Sequence, residues 1–292
     1  MRYFIILLLL SLNLSAQSLQ VAQVPAVFKD CFFCGLQLGS NNPDRHITDL
    51  AVVGKPSSEG LGSSFEPEDL VDIDPRFMTP LYRESIINLA QYEKLKRPAY
   101  EALQSLLNKA KQQGLDLFIH SAYRSYENQC RVFVGKVKKE IIKKILNINQ
   151  SEDVKKAIFD VNTRSALPGQ SEHQLGTVVD LVTFLPQYEI AGTPKYSGYA
   201  VAYEIQNTPE FRWLSENADQ FGFVLSYPYS QVAGYFSPHP KTGYIYEPWH
   251  WRYIGVRYAK QFKQCGAMVL REYLKNLEAD PNFECLQTRA RL

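Results

Sequence analysis

Two histidines, an aspartate and a glutamate carry the chemistry this sequence suggests. His173 and Asp180 stand seven residues apart within Pro168 to Leu181, and His250 follows Glu247 by three in Glu247-Pro248-Trp249-His250. Thr177 to Phe184 is β-branched or apolar except at Asp180, which reads as a strand with a carboxylate in its middle. An ionised carboxylate in such surroundings is costly unless it is paired, hydrogen-bonded or bound to a metal. Gly176 lets the backbone turn ahead of that strand, so His173 can approach Asp180. Two histidines, one aspartate and a spare glutamate then converge. Three protein ligands with an open fourth position form a catalytic zinc arrangement, and an unligated carboxylate nearby is the base that a zinc-activated water requires.

The elements that must position these residues follow from periodicity and caps. Pro80 to Leu95 and Arg97 to Gln113 read as helices, with Gly114 as a stop. Leu115 to His120 alternates as a strand, and Ser121 to Ser125 leaves it, which puts Arg124 at a strand end. Ser125 is placed to cap a helix whose apolar positions are Phe133, Val137, Ile141 and Ile145. A shorter helix runs from Ser151 to Val161. Thr208-Pro209-Glu210 starts another, which Gly222 stops. Phe223 to Tyr227, Gly243 to Tyr246 and Trp251 to Ile254 read as strands, and Val256 to Gln264 and Met268 to Leu277 as helices before a polar tail. Helices followed by strands, without regular βα alternation, indicate an α+β fold.

Whole-chain properties narrow the function. At 292 residues the chain can bury a full core, and a net charge of +2 without basic runs interleaved with aromatics gives no support for nucleic-acid binding. Met1-Arg2 followed by the apolar run Phe4 to Leu10 reads as a secretory signal peptide over residues 1–18, and no stretch reaches the length of a membrane span. The mature protein is expected to be exported, periplasmic or extracellular. Its five cysteines can then oxidise, with local disulfides favoured over a structural zinc at the lone Cys31-x2-Cys34 pair.

Three ordered motifs carry a family resemblance: Ser121-Ala122-Tyr123-Arg124-Ser125 with Gln129, Ser171-Glu172-His173-Gln174-Leu175-Gly176 with Asp180, and Glu247 to Tyr253. They closely resemble those of the VanY-type D-alanyl-D-alanine carboxypeptidases, zinc peptidases that trim peptidoglycan stem peptides on a small antiparallel sheet flanked by helices. The resemblance covers roughly Phe65 to Leu277. It implies His173, Asp180 and His250 as ligands of Zn2+, Glu247 as the base and Arg124 as the group stabilising the oxyanion. Ser171 resembles a substrate-contacting serine, and Gln129 and Tyr123 occupy motif positions in the same substrate-binding set. Domain limits follow: a signal peptide at 1–18, an irregular segment at 19–64, one zinc-peptidase domain at 65–277 and a tail at 278–292. The segments Ser226 to Lys241 and Pro186 to Asn207 are longer than the family pattern, so the choice between D,D-carboxypeptidase and L,D-carboxypeptidase stays open.

Competing classes fit less well. The chain has no S-x-x-K, no G-x-S-x-G and no H-E-x-x-H. Cys130 as a nucleophile would leave the metal residues unexplained. A non-catalytic peptidoglycan-binding protein would have no use for Glu247. His120 reads as structural, His239 as a loop residue, and His46 has no companions.

Overall fold

The computed structural model describes residues 50–54, 60–79, 93–147, 150–183 and 203–285. The expected signal peptide, Cys31, Cys34, His46 and most of the expected helix from Pro80 lie outside these residues. A small ladder pairs β1 (Leu70–Asp72) with β2 (Lys94–Lys96), and α1 (Arg97–Gln112) follows directly. The larger sheet is built from β3 (Phe118–Ser121), β4 (Val178–Val182), β5 (Phe223–Leu225) and β6 (His250–Tyr253). It is antiparallel throughout, in the order β3-β4-β6-β5. Between β3 and β4 lie α2 (Tyr126–Lys143) and α3 (Ser151–Asn162), and α4 (Pro209–Asn217) precedes β5. After β6 come α5 (Val256–Lys263) and α6 (Leu270–Ala279). The fold is α+β.

Strand alternation divides the sheet into two faces. Val179 and Leu181 of β4 and Trp251 of β6 join Leu103, Leu106 and Ala110 of α1 and Leu214 of α4 in the main core. The intervening positions, Asp180, His250 and Arg252, are turned to the opposite face. A second cluster sets Phe133, Val137 and Ile141 of α2 against Ala157 and Val161 of α3. That packing fixes α2 as one wall of the space above the sheet. Ser125 caps α2 by accepting from the Asn128 N–H at 3.2 Å.

Four segments depart from the sequence reading. The helix capped by Ser125 ends at Lys143, so Ile145, expected on its apolar face, lies past its end and is exposed. The helix expected to reach Leu95 gives way to β2, where Leu95 is fully buried and the Lys96 N–H donates to the Gly176 carbonyl at 2.8 Å. Gly243 to Tyr246 forms no strand. Its Ile245 N–H donates to the Thr163 carbonyl (2.9 Å) and its Tyr244 carbonyl accepts from His239 (2.7 Å), so loop backbone satisfies this segment instead of a ladder. The C-terminal helix continues past Leu277 to Ala279, and a Cys265–Cys285 disulfide holds the following turn, with Phe283 packed on Tyr273. Cys130 is disulfide-bonded as well, which removes it as a thiol nucleophile.

Candidate active site

The sheet register places the ligands. Asp180 and His250 are directly opposed across β4 and β6, and Ser121 of β3 lies against Asp180 on its other side. A slip of one residue in this register would send both ligands into the core. His173 arrives from a single 3-10 turn, Glu172–Leu175, closed by Gly176 at φ 70°. A Cβ on Gly176 would meet Leu70 Cδ2 at 2.9 Å, so both the backbone conformation and the close approach to β1 call for glycine.

One ligand atom each from His173, Asp180 and His250 lies within 4.8 Å of the others. His173 Nε2 is 3.4 Å from Asp180 Oδ2, and His250 Nδ1 is 3.3 Å from Asp180 Oδ1. Zinc bonds of ~2.0–2.1 Å in tetrahedral geometry separate ligand atoms by ~3.3 Å, so these spacings fit the ion. Asp180 Oδ1 is buried without a hydrogen-bond partner, as an oxygen reserved for a cation would be. Both imidazoles are fixed in the ligating tautomer. His173 Nδ1 donates to the Ala122 carbonyl at 2.5 Å, leaving Nε2 as a lone pair. His250 Nε2 donates to Glu172 Oε2 at 3.1 Å, leaving Nδ1 as the other.

Glu172 and Arg252 went unread in the sequence, yet they support the site from beneath. Arg252 is fully buried, and its Nη1 donates to Glu172 Oε1 at 2.7 Å while Nη2 donates to the Ala51 carbonyl at 2.7 Å. The signal was present: Arg252 stands two residues from His250 on one strand, hence on the same face. Burial works against ionisation of Glu172, but Arg252 and His250 hold its carboxyl down to about 2. Burial likewise opposes the charge on Asp180, and His173 and His250 keep that carboxyl well below the usual range. Burial would lower His250, but the Asp180 and Glu172 carboxylates beside it raise it to about 10, a measure of how strongly this pocket attracts positive charge.

A cleft of about 480 Å³ opens above these groups. Glu247 lines it with Oε2 3.6 Å from His250 Nδ1, and burial and the Asp180 charge push its carboxyl up to about 7 against the pull of His250. Arg124 enters from the end of β3 and is held at two points, Nη1 on Gln129 Oε1 (2.8 Å) and Nη2 on Ser121 Oγ (2.9 Å). Gln129 is buried, and its Nε2 donates to the Ala166 carbonyl at 2.6 Å, so it braces Arg124. Ser171 is buried in the cleft wall, and its side chain does not cap the 3-10 turn. Tyr123 is the exception among the expected residues. It is not part of the cleft lining; the extended backbone turns neighbouring side chains opposite ways, sending Arg124 into the cleft and Tyr123 toward Glu66, which with burial raises its phenol. His120, expected to be structural, lines the cleft with Nδ1 buried and unpartnered among the described residues. His239 stays in its loop, accepting from the Lys241 N–H.

The family model described as "VanY: D-alanyl-D-alanine carboxypeptidase" matches residues 92–256, which include every residue of this cluster. The chain belongs to the VanY family. It is a metallo-carboxypeptidase of that family. The Bacillus subtilis putative carboxypeptidase YodJ is 29% identical over 229 residues, 78% of this chain and 68% of that protein. A D-alanyl-D-alanine carboxypeptidase of Enterococcus faecalis is 30% identical over 172 residues, and this chain spans about half of it, 52%. Among solved structures, the LdcB LD-carboxypeptidase superposes with TM-score 0.55 at 27% identity, covering 78% of this chain and 86% of that one. A vancomycin-resistance D,D-pentapeptidase VanY in complex with Zn(II) gives 0.53 at 26%, covering 77% and 98%. Among the described residues, no helix of this VanY-family chain is long and apolar enough to cross a membrane.

Proposed function

We propose that this VanY-family protein is an exported zinc carboxypeptidase that removes a C-terminal D-alanine from peptidoglycan stem peptides. The observation that carries this reading is Glu247, an unligated carboxylate in the cleft 3.6 Å from a histidine whose Nδ1 lone pair joins two other ligand atoms. His173, Asp180 and His250 would hold zinc, whose Lewis acidity serves both the scissile carbonyl and the attacking water. Glu247, poised near neutral pH by its surroundings, takes a proton from that water and returns it to the amine of the leaving D-alanine. The guanidinium of Arg124, fixed by Gln129 and Ser121 before substrate arrives, stabilises the developing oxyanion. Ser171, Gln129 and Tyr123 form the expected substrate-binding set. Ser171 meets the substrate, Gln129 acts through Arg124, and Tyr123 stands outside the cleft lining. Export is supported by the basic start and apolar run of residues 1–18.

A second reading, an L,D-carboxypeptidase acting on tetrapeptide stems, is favoured by the likeness to LdcB. A non-catalytic wall-binding role is disfavoured because Glu247 is intact and buried at the site. Mass spectrometry of muropeptides incubated with the protein, with and without a chelator, tests all three. Chelator-sensitive loss of one alanine from the pentapeptide establishes the D,D activity, and loss from the tetrapeptide alone establishes the L,D activity. Binding without loss from either refutes the enzymatic assignment.

A further inference from the structure

Three cationic side chains line the cleft: Arg124, Lys136 and Arg164. Two are committed to protein partners, Arg124 to Gln129 and Ser121, and Arg164 to the Glu140 carboxylate and the Asp160 carbonyl. Lys136 differs. Its Nζ donates to Ser165 Oγ at 3.2 Å, and it forms no salt bridge among the described residues, although an ammonium carries three donors. The Glu247 and Asp180 carboxylates attract it through space, but neither pairs with it directly, so a largely enclosed ammonium keeps donors open toward the cleft.

The position of this ammonium narrows what it pairs with. Gln129, Val132 and Lys136 fall at i, i+3 and i+7 of α2, so one helix face presents all three to the cleft. Helical side chains lean toward the N-terminus, which brings the Lys136 head back toward Gln129 and Arg124. The contacts agree, because Gln129 holds the Ala166 carbonyl and Lys136 holds the hydroxyl of the adjacent Ser165. The ammonium therefore shares the cleft with the guanidinium assigned to the oxyanion and lies within reach of its charge. Burial and the Arg124 charge lower it to about 8 against the pull of Glu247 and Asp180.

We infer that Lys136 receives the terminal carboxylate of the peptide and is the residue by which this chain selects a C-terminus. The inference rests on the carboxypeptidase reading above. A terminal carboxylate lies one residue, ~4 Å, beyond the scissile carbonyl, so a cation next to Arg124 is in register to take it. Lys136 lies outside the three motifs, and nothing in their spacing points to it.

The test compares peptides ending in D-Ala-D-Ala as the free acid and as the C-terminal amide, on the zinc-loaded parent, Lys136→Met and Lys136→Arg. A charge-assisted contact of this kind corresponds to about 10- to 100-fold. Lys136→Met is expected to lower kcat/KM for the acid by that factor, mainly through KM, and to leave the amide unchanged; Lys136→Arg restores part of the loss. Equal loss on acid and amide assigns Lys136 a structural role and overturns the inference. A parallel arm uses stems with diaminopimelate or lysine at the third position. If Lys136→Met erases a preference between those two while keeping the acid-over-amide preference, the side-chain carboxylate is the ligand and the inference again fails. Calorimetric binding of acid and amide repeats the comparison without turnover. An inactive parent that still binds the acid better than the amide through Lys136 refutes the catalytic reading alone, and a parent that does not distinguish them refutes this one.

Discussion

Glu172→Gln should damage both the fold and the metal centre, and its magnitude can be worked from two directions. The Glu172 carboxyl is held at about 2 against an ordinary value of 4.5, a difference of 4.5 − 2 = 2.5. At ~1.4 kcal/mol per unit that difference corresponds to ~3 kcal/mol of favourable interaction with Arg252 and His250. Removing one partner of a buried ion pair costs ~3–5 kcal/mol on general grounds, so the two estimates agree. For a fold of this size ~3 kcal/mol lowers Tm by ~6–12 °C. The sign with pH is set by the depressed folded value. The contribution is complete above about 4.5 and is lost as pH falls toward about 2, so the gap between parent and variant should be flat at neutral pH and close in acid. Denaturation of chelator-treated protein at several pH values measures this. Competition with a chromophoric chelator should show zinc affinity reduced by ~10- to 100-fold, because His250 loses the carboxylate that fixes its tautomer. A variant that melts within ~2 °C of the parent and binds zinc equally well would refute the reasoning about the buried pair.

Other outcomes follow from the same geometry. Glu247→Gln should keep the metal, by elemental analysis, and lose turnover by ~10²–10⁴-fold in the muropeptide assay. In metal-free protein, Lys136→Met should stabilise the fold at pH 7 by up to ~3 kcal/mol, since the ammonium sits at about 8 against 10.5. That advantage should shrink as pH rises from about 8 to 10.5, where the unfolded parent holds the extra proton, which denaturant titrations at pH 7 and 10.5 compare. Cys285→Ser opens a loop with a sequence separation of 20 and should cost ~3 kcal/mol in denaturant titration, with no change in zinc affinity.

How much of this was legible in the sequence depended on how local each signal was. Asp180 betrayed itself as a carboxylate inside an apolar strand, and β4 formed around it; Ser125 and Thr208 announced the helices they cap. β2 was hidden because its three residues pair with β1 and with the Gly176 carbonyl, partners that no local pattern reveals. Gly243 to Tyr246 had strand composition, but its backbone found acceptors in loops. Glu172 stood in its motif without a role, because the partners that make its burial tolerable, Arg252 and His250, lie about 80 residues away on β6. Lys136 offered no sequence signal at all, since a lysine on an otherwise mixed helix face reads as solvated.

The contact between Arg252 and the Ala51 carbonyl bears on how the protein can be cut and handled. Ala51 lies upstream of the segment that matches the family, residues 92–256, yet it accepts from the same guanidinium that fixes Glu172 and, through it, His250. Val52 and Val53 are buried alongside it, so this short strap is a keystone beneath the metal ligands. A recombinant fragment trimmed to the family-matching segment would retain every ligand and still strand a buried charge. Expression boundaries, affinity tags and proteolytic nicks near residue 50 are therefore decisions about the metal centre, even though they fall far from it along the chain.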